Sequence, residues 1–263
     1  MEIAEHIEIV RTEGHRLADA ARREGLDAKI DPCPGWVMRD LVQHLAEIHL
    51  WAAGQVSKRA GRLSPEDAGE ISSWWPELPP LYPADEDLID YYLVTNTNLL
   101  RELESAPADL ECETFLEAPS DLAMWARRQA HETSIHRFDA ESPGSGITPF
   151  DPTFAADGVD ELLMAFAPRR DSFPVDGTHT MAVRATDTGD TWLVTMTPDG
   201  ITTVKDSKEE GDVTLEGTAG DLYLAVWNRG DDSSIVVTGD PAALAAWREG
   251  YHVVWDLDEE EDE

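Results

Sequence analysis

Apolar or small residues at Ile3, Ile7, Val10, Gly14, Leu17 and Ala21 return at steps of four and three. That is one face of an amphipathic helix, and the spacing predicts that it ends near Gly25. After the turn-rich "DPCPGW" (31–36), the same rhythm runs through Val37, Leu41, His44, Ile48 and Trp51, a second helix reaching about Ser57. The middle member of that stripe is a histidine. Five prolines between 61 and 84 predict a long irregular crossover rather than an element. Leu88, Tyr92, Thr95, Leu99 and Leu103 mark a third helix, with Asp85, Glu86 and Asp87 in its first turn, where acids suit the helix dipole. A fourth runs from about Ser120, a side chain able to cap it, to Asp139.

Past the Pro- and Gly-rich "ESPGSGITPFDP" (141–152) comes a short helical piece over 153–167, and then the period changes. "HTMAVRAT" (179–186), "TWLVTMT" (191–197), "GITTVKD" (200–206) and "DVTLEG" (212–217) are rich in β-branched residues, with turn signals between them, and predict antiparallel strands. A helix over 218–229, a strand over 234–239 and a last helix over 240–249 complete the pattern. The expected fold class is α followed by α+β. Residues 1–150 form an up-down four-helix bundle, 151–256 a smaller α+β domain with an antiparallel sheet, and 257–263 an acidic tail.

Composition narrows the function. The chain has 263 residues, 41% of them hydrophobic, and a net charge of −34 from 54 acidic and 20 basic side chains. Without the seven acids of 256–263 the balance is still −27, so the acidity is spread along the chain. Such a surface repels phosphates and anionic headgroups, which speaks against nucleic-acid and membrane partners. A dispersed carboxylate surface with only four lysines suits concentrated salt, where self-repulsion is screened, and implies a halophilic setting. Two cysteines, Cys33 and Cys112, without a CxxC pair fit a reducing compartment. The acidic amphipathic N-terminus lacks the form of a signal peptide, and a cytoplasmic location is expected.

The chemistry gathers in "MWARRQAHETSIHRFDAE" (124–141). A zinc-protease helix carries HExxH, but Ile occupies position 135 and the second histidine falls one residue late. Five positions rotate a helix by about 140°, so His131 and His136 do not share a face. Trp125, Gln129, Glu132 and His136 do share one, and Glu132 and His136 stand a single turn apart. If His44 faces them across the bundle, two imidazoles and a carboxylate offer a divalent metal three ligands and leave a position open, as in catalytic rather than structural sites. The plainer alternative is a hydrogen-bonded core histidine beside an ordinary Glu–His helix pair. His6, His15, His49, His131, His179 and His252 are read as surface or packing residues, with His131 and Asp139 as candidates to support the ligands from behind.

"CPGWVMRDLVQHLAEIHLWA" (33–52), followed by "WARRQAHETSIHRFDAE" (125–141), resembles the mycothiol-dependent maleylpyruvate isomerase family, and "GTAGDLYLAVWNR" (217–229) resembles that family's C-terminal domain. The resemblance implies a DinB-like metal-binding bundle followed by a domain of sterol-carrier-like shape. It implies metal ligands at His44, Glu132 and His136, a donor set whose chemistry suits zinc first or another divalent transition metal, and mycothiol or another low-molecular-weight thiol as cofactor. It further implies that Arg229, in the place of a "WxR" motif, holds an acidic substrate, against the plainer reading of a basic residue at a helix C-terminus. The implied function is a thiol-dependent isomerase or S-transferase acting on a small electrophile. Metal-assisted hydrolysis, and a non-catalytic metal- or small-ligand-binding protein on the same bundle, are the alternatives.

Overall fold

A computed structural model describes residues 1–57, 68–75, 78–79, 81, 83–144 and 146–251. The chain divides into two units, Met1–Thr148 and Pro149–Glu263.

The first unit is built on four long helices: α1 (Ile3–Glu24), α2 (Met38–Val56), α4 (Asp85–Ser105) and α5 (Asp121–Glu141), with a one-turn α3 (Ala68–Ser72) in the crossover. Among the described residues, that short helix is the one regular element within the stretch read as irregular. The remainder of the crossover lies partly outside the described residues, as do His252 and the acidic tail. Helix α1 packs on α4 and α5, and α2 packs on the same two, so α1 and α2 stand diagonally across the bundle.

Cross-helix pairs give the directions. Arg22 meets Asp90 and Asn96 meets Val10, so α1 and α4 run oppositely. Arg39 meets Asp85 while His49 meets Tyr92, so α2 and α4 run together, whereas His44 meets Glu132 and Trp51 meets Trp125 in the opposed pair α2 and α5. The four-helix bundle expected from the stripes is present, and its helices run up, down, down, up. Two consecutive parallel helices need a connection that returns along the whole bundle, which is why the α2–α4 link is long.

The stripes bury Val10, Leu17, Leu41, Leu45, Tyr92, Leu99 and Trp125. Each such side chain withdrawn from water contributes about 1.5–3 kcal/mol, and that burial holds the helices together. Helix α5 departs from the amphipathic pattern. Only Asp121, Ala123 and Arg127 of its residues escape burial, although the sequence carries seven charged or histidine side chains from Arg128 to Glu141. Buried charge on this scale requires internal pairing. Arg137, fully buried, donates to Glu13 of α1 at 2.6 Å, to Glu141 at 2.8 Å and to the Thr148 carbonyl at 2.6 Å. Ser120 caps α5 as expected, accepting from the Ala123 N–H at 3.2 Å.

In the second unit, α6 (Pro152–Asp160) continues through a wider π turn at Glu161–Phe166 and a 3-10 turn at Ala167–Arg169, where the sequence suggested one short helix. The sheet has strands β1 (His179–Ala185), β2 (Thr191–Thr197), β3 (Gly200–Lys205), β4 (Val213–Gly217) and β5 (Val236–Gly239) in the order β3-β2-β1-β4-β5. Three of the four pairings are antiparallel; β1 and β4 run parallel, with Val183 opposite Leu215. The connector 206–212 causes this departure. It crosses from the β3 edge to the far side of β1 instead of closing a hairpin, and Asp212 fixes its end by accepting from the Thr180 N–H at 2.7 Å and hydroxyl at 2.8 Å. Helices α7 (Ala219–Val226) and α8 (Pro241–Gly250) pack on β1 and β4, burying Leu222, Tyr223, Val226 and Trp247. No helix among the described residues is long and apolar enough to cross a membrane.

Candidate active site

Helix α2 begins directly after the turn that carries Cys33 and Trp36. Within it the Cys33 N–H donates to the Ile30 carbonyl at 2.9 Å and the Trp36 N–H to the Cys33 carbonyl at 3.0 Å. Gly35, with φ at +88°, takes the left-handed conformation that lets the turn close. Asp40 accepts from the Val37 N–H at 2.8 Å and secures the first turn of α2. From this helix His44 points across to the opposed α5.

There the three side chains singled out in the sequence meet. His44 Nε2 lies 3.1 Å from Glu132 Oε1, and His136 Nε2 lies 3.3 Å from the same oxygen. One donor atom from each residue falls within 4.8 Å of the others. The site is sunk in the bundle but reachable on one side: the His44 side chain is 14% exposed, Glu132 4% and His136 0%. Trp36 covers part of it, stacked on His136 with ring centres 6.3 Å apart and set edge-on to His44 at 5.1 Å.

Each donor that sits on α5 is held from behind. His136 Nδ1 donates to Asp139 Oδ2 at 2.9 Å, so Nε2 is the nitrogen turned toward Glu132. The Cys33 thiol donates to that same Asp139 oxygen at 3.3 Å. Glu132 divides its oxygens: Oε1 faces both histidines, and Oε2 accepts from Arg128 Nη2 at 3.1 Å. Asp139 was visible in the sequence as a neighbour of His136 at i+3. Arg128 stands at i−4 from Glu132 and was readable by the same helix rule. Cys33 and Trp36 were not, because nothing in a turn motif says which helix it closes over.

Burial and charge act against each other on these groups. Burial alone would push His136 down, but hydrogen bonds with Asp139, Cys33 and Glu132 hold its pKa well above the ordinary histidine value. Burial would raise Glu132, yet the hydrogen bonds from His136 and His44 and the charges of His136 and Arg128 keep it well below the usual carboxylate range. His44 is lowered by burial, which outweighs its hydrogen bond to Glu132. The core of the site therefore holds two positive groups, Arg128 and His136, against two negative ones, Glu132 and Asp139, with His44 neutral.

Two imidazoles and one carboxylate, converging within the bundle with the outer nitrogen of His136 held by Asp139, fit a divalent transition ion. A proton on His136 Nε2 is the charge such an ion would replace.

The Mycothiol maleylpyruvate isomerase N-terminal domain profile matches residues 8–141, a span that includes His44, Glu132 and His136. The chain belongs to the mycothiol-dependent maleylpyruvate isomerase family. The family's C-terminal domain profile matches residues 153–246. Among solved structures, the crystal structure of the mycothiol-dependent maleylpyruvate isomerase covers 90% of this chain and 93% of its own, at 12% identity and a TM-score of 0.63. A histidine-to-alanine mutant of that isomerase matches with the same coverage and identity and a TM-score of 0.61. At that identity the likeness is one of fold. No curated protein matches the chain.

Two further residues were singled out in the sequence, one on another face of α5 and one in the second unit. His131, fully buried, turns toward α1 and sets its ring edge-on to His6 with centres 6.2 Å apart. Arg229 belongs to the second unit, just beyond α7. Its N–H donates to the Leu224 carbonyl at 2.8 Å, closing the helix after Asn228 at φ +55°, and its Nη1 donates to the Trp227 carbonyl at 3.2 Å.

Proposed function

We propose that this chain is a metal- and thiol-dependent enzyme that isomerises a small electrophilic cis double bond or adds a thiol to a related electrophile. The observation that carries the reading is the convergence of His44 Nε2, Glu132 Oε1 and His136 Nε2 within 4.8 Å, open on the His44 side.

A divalent ion held by those three donors, zinc being the expected one, would lower the pKa of a thiol entering its remaining position, so that sulfur attacks as the anion. The chain's own groups prepare that entry. With the His136 proton replaced by a divalent charge, the balanced cluster of Arg128, Glu132, Asp139 and His136 carries one net positive charge in a buried setting. Mycothiol, or another low-molecular-weight thiol, supplies one negative charge as its thiolate, and the match favours uptake of one such anion. Trp36 excludes water from the face of His136 that it covers. In the isomerisation, sulfur adds to one carbon of the double bond and a conjugated carbonyl takes up the electron pair. Rotation follows about what is now a single bond, and expulsion of the thiolate restores the double bond as trans. When the thiolate stays attached and a proton is added, the same first step is an S-transfer.

Arg229 is proposed, from the family resemblance, to hold the carboxylate of an acidic substrate.

The test is metal content by mass spectrometry on untagged protein, with cis–trans isomerisation of a maleyl-type acid measured with and without thiol. About one equivalent of metal, lost in His44→Ala, Glu132→Ala and His136→Ala together with thiol-dependent turnover, is the expected result. A chain that binds no metal after reconstitution, or that turns over without thiol, contradicts it.

A further inference from the structure

The two oxygens of Glu132 face different partners, and that asymmetry has a chemical meaning. A free carboxylate beside a divalent ion can bind through one oxygen or both, and the second mode uses up a coordination position. In this chain Oε1 lies 3.1 Å and 3.3 Å from the two histidine nitrogens, while Oε2 lies 3.1 Å from Arg128 Nη2. Arg128 is 3% exposed and Glu132 3%, so water does not compete freely for either group. Both sit on α5 one turn apart, and the rigid helix rather than a flexible loop sets their separation. A guanidinium is planar, permanently charged and able to hold a carboxylate oxygen in a fixed direction.

We propose that Arg128 is a positioning residue for the reaction: by retaining Oε2 it makes Glu132 a one-oxygen donor and keeps the coordination position that the thiol requires. This rests on the metal- and thiol-dependent reading above. The guanidinium has a second effect in the same direction. It offsets the Glu132 charge, so the loaded site remains cationic enough to take up an anionic sulfur; without it the cluster is one unit more negative and holds the thiolate less well.

Cobalt(II), whose visible absorption is strong in four-coordinate sites and weak at higher coordination, is the probe for wild type, Arg128→Met, Arg128→Gln and Arg128→Lys. Circular dichroism selects the folded variants, and both neutral substitutions are made so that one misfolded variant does not decide the matter. The expected result is a cobalt band several-fold weaker in the neutral variants than in wild type. Titration with 2-mercaptoethanol, followed by the sulfur-to-cobalt absorption, is expected to show about tenfold or greater loss of thiol affinity, in the range that outer partners of metal ligands command. Arg128→Lys, which keeps the charge, is expected to recover part of the thiol affinity. A neutral variant with the wild-type cobalt spectrum and thiol titration overturns the role of Arg128 and leaves the metal reading standing. Wild-type protein that takes up no cobalt overturns both.

Discussion

Replacing His49 with phenylalanine tests how the bundle responds to acid. His49 is fully buried on α2, stacked on Tyr92 with ring centres 5.4 Å apart, and its Nε2 makes a 3.1 Å hydrogen bond with Thr133 Oγ1. Its Nδ1 has no hydrogen-bond partner among the described residues. Burial pushes its pKa down from 6.5 to about 3, so the folded chain keeps the ring neutral where the unfolded chain would protonate it. Above pH 6.5 neither state binds the proton, and the ring contributes no pH dependence. Below 6.5 the unfolded state binds one proton more than the native state, and stability falls with pH until the folded group titrates near 3. The slope is about 1.4 kcal/mol per pH unit. Between pH 6.5 and 4.5 the wild type should therefore lose about 2 kcal/mol more than His49→Phe. Urea unfolding of both metal-free proteins, in a chelating buffer at fixed high salt, measures this, because the many carboxylates that also titrate cancel in the difference. Parallel stability curves would mean that the folded protein accommodates a charged His49, and the account of a neutral core ring would be wrong.

Arg137→Met leaves the buried carboxylates of Glu13 and Glu141 without their shared cation, and should cost about 3–5 kcal/mol in the same urea assay. An effect below 1 kcal/mol would show that water replaces the guanidinium. Asp139→Ala removes the acceptor of His136 Nδ1 and should weaken metal affinity about 10–100-fold in competition with a chelator, with Cys33→Ala having a smaller effect in the same direction. The net charge of −34 predicts a melting temperature that rises by several degrees between dilute buffer and molar potassium chloride, as screening removes repulsion among surface acids. A flat or falling melting temperature would remove the basis for a saline setting.

The four bundle helices were legible because steps of three and four leave a stripe whatever the stripe packs against. The same rule put Gln129, Glu132 and His136 on one face and His131 off it, as the structure has them. What the pattern did not show is that α5 is buried nearly all round. Asp139 stood out as a support for the ligands, but the pattern gave no sign that Arg128, Arg137 and Glu141 are buried as well, since charges are buried only where partners await them, and those partners come from α1, α5 itself and the segment that follows it. Partner choice likewise escaped in the sheet: alternation marks β1 and β4 as strands but carries no sign that they lie side by side and parallel. The π turn at Glu161–Phe166 has no marker in its residues, since "ELLMAF" is compatible with an ordinary helix.

The separation of the converging donors along the chain also orders events in time. His44 and Glu132 are 88 positions apart, and they meet only after the crossover has returned along the bundle and α5 has docked against α2. A chain still emerging during synthesis, or one clipped in the crossover and opened, holds at most the Glu132–His136 pair, a weak and solvated chelate. Contacts this distant in sequence form late, because a long loop must close before they stabilise anything. Whatever chemistry requires all three donors at once is thus withheld until α5 has docked against α2.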